Sequence, residues 1–272
     1  MSSSLQDVPN EIAIEGKTKN LQLLRQLPDI ETVWLSAVNQ KEFDFLIDAI
    51  DPVNLYIYEM RAADLSALER LEKIERLSLC WNPKAEMLWN MSKNHRLNYL
   101  EIEDFKRLHK LNPLLSCRAL EELHLSGGVS TPMTIDTLSP LKHLQNLKTL
   151  GLSNMKLKDE SFELLTHLKG LKALQLSNQF PTEEFARLSV ALSQTNCDYF
   201  WPYVELDDPI DGKDIMVIGK RKPFLHSTAD RKSCKSMKNS LQLFKKNINQ
   251  MMLKCLPAFS KACSASCNIS FV

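Results

Sequence analysis

Short pairs of the form apolar-x-apolar recur along the chain: Ile12 with Ile14, Val33 with Leu35, Leu55 with Ile57, Leu77 with Leu79, Leu100 with Ile102, Leu123 with Leu125, Leu150 with Leu152, and Leu174 with Leu176. Successive pairs are 21, 22, 22, 23, 23, 27 and 24 residues apart. A step of two places both side chains of a pair on one face of a strand. A second pattern leads into the pairs. Leu65, Leu68, Leu71 and Ile74 precede Leu77, Leu138, Leu141, Leu144 and Leu147 precede Leu150, and Phe162, Leu165, Leu168 and Leu171 precede Leu174. Leu24, Leu27 and Ile30 before Val33 are a close copy. A step of three suits a tight 3₁₀-like turn, in which residues i and i+3 eclipse. The units before Leu55 and Leu100 keep the pair but lose part of the ladder.

One such coil sends its marked leucines inward but cannot bury them alone, whereas stacked coils form a continuous apolar column. The pattern predicts an α/β solenoid with a curved parallel sheet on the concave side and 3₁₀ or helical turns on the convex side. Residues 1–179 form the expected solenoid, with the strand at 12–14 as its N-terminal edge and the first turn starting over 20–24. Residues 180–225 form the expected C-terminal cap, because an open end would expose core and strand edge. Within it, Thr182 reads as the N-cap of a helix, ahead of Glu183 and Glu184. Phe185, Leu188 and Leu192 make an apolar stripe, Tyr199, Phe200, Trp201 and Tyr203 cluster, and residues 215–218 read as a final strand. The 27-residue spacing holds Gly127-Gly128 and Thr131-Pro132 and reads as a surface loop.

The units resemble the leucine-rich-repeat family in its short 22-residue type, similar to internalin-like and phosphatase-regulator-like repeats, over residues 12–200. The resemblance implies the solenoid fold and a binding role, and names no ligand. The style of the cap is similar to bacterial examples. One departure is clear. Asn82 holds the position where the family carries an asparagine after the strand, while Gly128, Met155 and Gln179 occupy the equivalent places. The expected asparagine ladder is therefore incomplete.

Charge adds an asymmetry. The net charge of +1 averages an acidic body and a basic tail. Residues 231–272 hold eight Lys and Arg and no acid, leaving 26 bases against 33 acids over residues 1–230, a net charge of −7. An acidic body disfavours nucleic acid. Residues 226–272 form a basic tail carrying Cys234, Cys255, Cys263 and Cys267. Three readings stay open for it. One is an amphipathic helix through Leu241, Phe244, Ile248, Met251 and Met252 that touches a membrane surface or an acidic partner. The others are a disordered tail and a frameshifted end. The odd cysteine count of seven and the absence of a signal-like start or a long apolar run predict a cytoplasmic protein without a membrane span, and a monomer is expected.

Catalytic motifs are absent. The six histidines form no H-E-x-x-H, and there is no G-x-S-x-G, P-loop or G-x-G-x-x-G. No catalytic residue, cofactor or metal is expected, and Asp207, Asp208, Asp211 and Asp214 surround an ordinary turn with Pro209 and Gly212. His143 and His167 take equivalent places in two repeats and read as solvated. The strand frame instead predicts an outward-facing strip. Its first half is aromatic, with Trp34, Tyr56 and Tyr58 and with Trp81 just past its strand. Its middle carries Glu101, Glu103 and His124, with Glu122 beside them. Exposed aromatics of this kind dominate interface hot spots. The expected function is a non-catalytic protein-binding module, a scaffold or regulatory subunit, whose partner brings a basic segment to the acids. The alternatives are a stack of Trp34 on Tyr56 with no ligand, and a hydrolytic site built on Glu101, Glu103 and His124.

Overall fold

A computed structural model describes residues 10–26, 30–158 and 161–247. The chain divides into two compact units: residues 1–177 with 194–196, and residues 178–193 with 197–272.

In the first unit the apolar pairs become strands. They are β1 (Glu11–Glu15), β2 (Thr32–Asn39), β3 (Asn54–Arg61), β4 (Arg76–Asn82), β5 (Tyr99–Phe105), β6 (Glu122–Ser126), β8 (Thr149–Ser153) and β10 (Ala173–Leu176). All eight pair in parallel in the order β1-β2-β3-β4-β5-β6-β8-β10. The register aligns the pairs strand by strand, so Val33, Leu55, Leu77, Leu100, Leu123, Leu150 and Leu174 lie side by side. Each of these is buried. Burying a leucine-sized side chain is worth roughly 1.5–3 kcal/mol, and only the neighbouring coil makes that gain available.

The returns follow the step of three. Short 3₁₀ helices run over Leu21–Gln26, Ser66–Arg70, Asn112–Ser116, Ser139–His143 and Glu163–His167. In the later ones the chain closes on i→i−3 bonds, as from the Leu71 N–H to the Leu68 carbonyl. His143 and His167 are exposed at the ends of two of these turns. The two degenerate units differ for a visible reason. Before β3 the return is a true α-helix, α1 (Gln40–Ala49), closed by a capping box in which Asn39 and Glu42 satisfy each other's backbone N–H groups. Its Phe43, Leu46 and Ile47 are buried at helical spacing, which breaks the step of three. Before β5 the return is irregular and is filled by Leu88, Trp89, Met91 and Leu97.

A left-handed kink lies at or just past the end of five of these strands. Ala37, Glu59, Trp81, Asp104 and Asn154 have positive φ; the first four follow one another in register, and Gly127 stands between Asp104 and Asn154. Two of these are Asp and Asn, which tolerate the left-handed region, and three are not. The next residue turns back into the core: Val38, Met60, Asn82, Phe105 and Met155 are all buried. This is the family asparagine position, and in this chain it is mainly apolar. Asn82 fills it with its amide donating to the Ala62 carbonyl at 2.8 Å and its oxygen accepting from the Lys84 and Ala85 N–H groups. A second buried asparagine does similar work on the irregular return. Asn94 donates to the Leu68 and Leu71 carbonyls and accepts from the Trp89 indole at 2.8 Å.

The long spacing is only partly loop. It contains β7 (Met133–Ile135), which pairs in parallel with β9 (Met155–Leu157) in a separate two-stranded sheet. Residues 127–132 are a loop with Val129, Ser130 and Thr131 exposed, as expected, while Met133, Ile135, Met155 and Leu157 are buried. At the far edge of the large sheet Asn196 bridges to Ala173, and the Thr195 hydroxyl donates to the Leu171 carbonyl, so the β10 edge is covered.

The second unit begins with α2 (Thr182–Ala191), which buries Phe185 and Leu188, with Leu192 buried just beyond it. Thr182 is not the N-cap. Pro181 holds that place, and the Thr182 hydroxyl donates to the Ile218 carbonyl instead. Strands β11 (Tyr203–Ile210), β12 (Lys213–Val217) and β13 (Phe224–Leu225) form an antiparallel sheet, so the strand expected over residues 215–218 is present as the end of β12 but is followed by β13. Asp211 and Gly212 both have positive φ, which gives the tight two-residue hairpin that suits twisted strands. A helix is described over residues 231–247. Its Cys234 is buried with Ile215 and Val217, so the start of the basic tail is packed. Ile248, Met251, Met252, Cys255, Cys263 and Cys267 lie outside the described residues.

Replacing Asn94 with Ala leaves the Leu71 carbonyl and the Trp89 indole N–H without these partners and takes from the Leu68 carbonyl one of its two donors. It should lower stability on the order of 2–3 kcal/mol. Urea unfolding checks this against exposed His95→Ala, which should stay within about 0.5 kcal/mol of the parent.

Candidate partner-binding face

Alternation along each strand leaves one sheet face outward. The middle residues of the pairs form one row in register: Ala13, Trp34, Tyr56, Ser78, Glu101, His124, Gly151 and Gln175. A second row runs Glu15, Ser36, Tyr58, Cys80, Glu103, Ser126 and Ser153. Trp34, Tyr56, Glu101 and His124 therefore share one row, and Tyr58 and Glu103 the next. Trp81 sits within β4, at the left-handed kink, with the Arg61 guanidinium 5.5 Å from its ring centre.

The aromatic half is a stack and an exposed ring. Trp34 and Tyr56 lie with ring centres 4.1 Å apart and planes 14° apart. Trp34 is nevertheless 47% exposed, and Tyr58 is 61% exposed. The stack and the exposed surface coexist.

The acidic half is tied down. Glu101 accepts from the Ser78 hydroxyl at 2.8 Å and the Tyr99 hydroxyl at 3.2 Å. Burial, with Glu101 second, pushes the Tyr99 phenol up to about 12. The Cys80 thiol donates to Glu103, and burial with the Glu103 charge pushes it up to about 12. Both groups are neutral donors near neutral pH. His124 pairs through Nε2 with Glu122 at 2.8 Å. Its ring lies where a side chain at Gly151 would stand, so the glycine makes room for the imidazole. The hydrolytic alternative built on Glu101, Glu103 and His124 needs the imidazole to share a proton with one of those two carboxylates. Here Glu101 bonds to Ser78 and Tyr99, and the imidazole bonds to Glu122.

A third row joins the site. Arg76, Tyr99 and Glu122 are register neighbours that precede the pairs. Arg76 lies 3.8 Å over the Tyr99 ring, and Tyr99 is 5.7 Å from His124. The rule that residues flanking a pair face outward names this row from sequence, and Tyr99 and Arg76 are the members missed. Among the described residues no cluster of His, Cys, Asp or Glu could hold a metal ion. No described helix is long and apolar enough to cross a membrane.

Each strand of the large sheet carries one apolar pair, the sheet is parallel throughout, and 3₁₀ turns return the chain in most units. The fold is a leucine-rich-repeat solenoid. No family model matches the chain, and no curated protein does. Among solved structures it is similar to an internalin C2 from Listeria monocytogenes strain 4b F2365, at 20% identity and TM-score 0.47, over 62% of this chain and 70% of that one. A second internalin from that strain gives 19% identity and TM-score 0.44, over 64% of this chain and 55% of that one. A leucine-rich-repeat protein of Leptospira interrogans gives 18% and 0.36, over 67% and 57%. The chain thus spans little more than half the length of the latter two. The solenoid assignment stands on the chain's own register and repeat.

The thiolate is the reactive form of cysteine, so Cys80 should alkylate slowly at pH 8. Glu103→Gln removes a charge that opposes thiolate formation and should speed the reaction several-fold. Mass-spectrometric alkylation rates check both, and a Cys80 rate matching free cysteine contradicts the assignment.

Proposed function

We propose that the outward sheet face binds a protein partner and performs no chemistry on it. The partner docks over the N-terminal half, where Trp34 and Tyr58 are exposed beside Tyr56, and brings a basic segment toward Glu101, Glu103 and Glu122. The single observation that carries this reading is the exposure of Trp34 and Tyr58 on a rigid, hydrogen-bonded sheet. Large aromatic rings held in water at a fixed spacing offer contact area at little entropic cost, and such rings anchor interfaces. The middle of the strip favours cations over phosphates. The hydrolytic reading built on Glu101, Glu103 and His124 is not favoured, because Glu101 accepts from Ser78 and Tyr99, Glu103 from Cys80, and the imidazole pairs with Glu122 instead. The free thiols of Cys80, Cys117, Cys197 and Cys234 suit a reducing compartment such as the cytoplasm.

The test compares proteins captured by the full chain with those captured by a Trp34→Ala, Tyr58→Ala double variant. Loss of two hot-spot rings should weaken a specific partner by roughly tenfold or more while the circular dichroism and unfolding midpoint hold. Undiminished capture by the folded double variant refutes the reading.

A further inference from the structure

Tyr56 covers one face of Trp34, and no described ring or cation lies on the other. The two rings stack across neighbouring strands. The strand order is β1-β2-β3, so the free indole face looks over Ala13, its register partner on β1. A methyl group cannot cover an indole. Two residues away in each direction along β1, on the same face, stand Glu11 and Glu15. Both are exposed, and neither is ion-paired with another described residue. No Lys or Arg among the described residues lies over the Trp34 ring.

We propose that this slot takes an arginine side chain of the partner. The guanidinium lies flat on Trp34, extends the Trp34–Tyr56 stack by one layer, and directs its N–H groups to the carboxylates of Glu11 and Glu15. This rests on the reading of the sheet face as the partner site and adds the chemistry of one anchor.

The argument for arginine is geometric. A guanidinium is planar and weakly hydrated, so one face can stack while the in-plane N–H groups reach carboxylates on either side. An ammonium is a compact, strongly hydrated charge without a plane to stack. The chain already makes this contact internally, with Arg76 at 3.8 Å over Tyr99, Arg61 at 5.5 Å over Trp81 and Arg25 at 5.7 Å over Phe45. Those rings have their cation. Trp34 has an aromatic layer on one side, no described ring or cation on the other, and at the rim two carboxylates that pair with no described cation.

The probe is a blocked Gly-Arg-Gly tripeptide, with Gly-Lys-Gly and Gly-citrulline-Gly as controls, titrated into the ¹⁵N-labelled full chain. Citrulline keeps the shape and removes the charge. The readout is the Trp34 indole N–H resonance, assigned by its loss in Trp34→Phe. It should shift and saturate with the arginine peptide, while the lysine and citrulline peptides bind roughly two- to fivefold more weakly. Glu11→Gln with Glu15→Gln should weaken the arginine peptide and leave the citrulline peptide unchanged. An unmoved Trp34 resonance, or equal responses to arginine and citrulline, overturns the slot. Partner capture separates the two levels of the proposal. If the double Gln variant captures as well as the parent while Trp34→Ala with Tyr58→Ala does not, the face binds and the arginine slot is wrong. If neither variant loses capture, the face itself falls and takes the slot with it.

Discussion

Leu55, Leu77, Leu100, Leu123, Leu150 and Leu174 stand side by side in register, each buried by the coil before and the coil after. Every other feature of the first unit answers to that column. A coil of about two dozen residues has too little volume to hide its own apolar side chains, so it is stable only between neighbours. The strands must then run parallel and the returns must be short. A tight 3₁₀ turn delivers side chains inward at every third residue, which keeps the step between coils small. Where the return widens, the core is filled differently. Helix α1 supplies Phe43, Leu46 and Ile47, and the stretch before β5 supplies Trp89 and the buried Asn94, whose amide donates to the Leu68 and Leu71 carbonyls.

The same register fixes the outward face. A slip of one residue would turn Trp34, Tyr56, Glu101 and His124 into the core and the leucines into water, so the apolar column holds these side chains in line. Their contacts are then those of a ladder: a ring on a ring, a hydroxyl on a carboxylate, an imidazole above a glycine. The polarity gradient along the strip, aromatic toward β2 and β3 and charged toward β5 and β6, follows from which repeat carries which middle residue. It is what turns a fold shared by many proteins into a surface with a preference.

The second unit runs on different rules. Its strands are antiparallel, its hairpin turns on Asp211-Gly212, and its small core joins Ile215 and Val217 to Cys234 from the helix. Asp214 accepts from both the N–H and the hydroxyl of Ser227, which anchors the chain leading into that helix. Burial lowers the Lys245 ammonium, whose Nζ donates to the Phe200 carbonyl near the Trp201 ring. The basic charge of the tail is therefore partly engaged with the unit's own aromatic segment.

The sequence by itself determined the repeat, the parallel ladder and the outward rows. The reason is that periods of two and three leave a direct trace in the order of leucines, and a period needs no knowledge of what lies across the core. It also showed that the asparagine ladder is incomplete. Only the tertiary structure decided what replaces a missing period. Helix α1, the β7–β9 sheet within the long spacing, and Pro181 rather than Thr182 at the start of α2 each depend on partners far along the chain. The commitments of the charged residues belong to the same class. Nothing in the local order of Glu101, Glu122 and His124 says that the imidazole pairs with Glu122 while Glu101 turns to Ser78 and Tyr99. Those choices are made across neighbouring strands, where hydrogen-bond distance is set by register and available space, down to the bare glycine at Gly151.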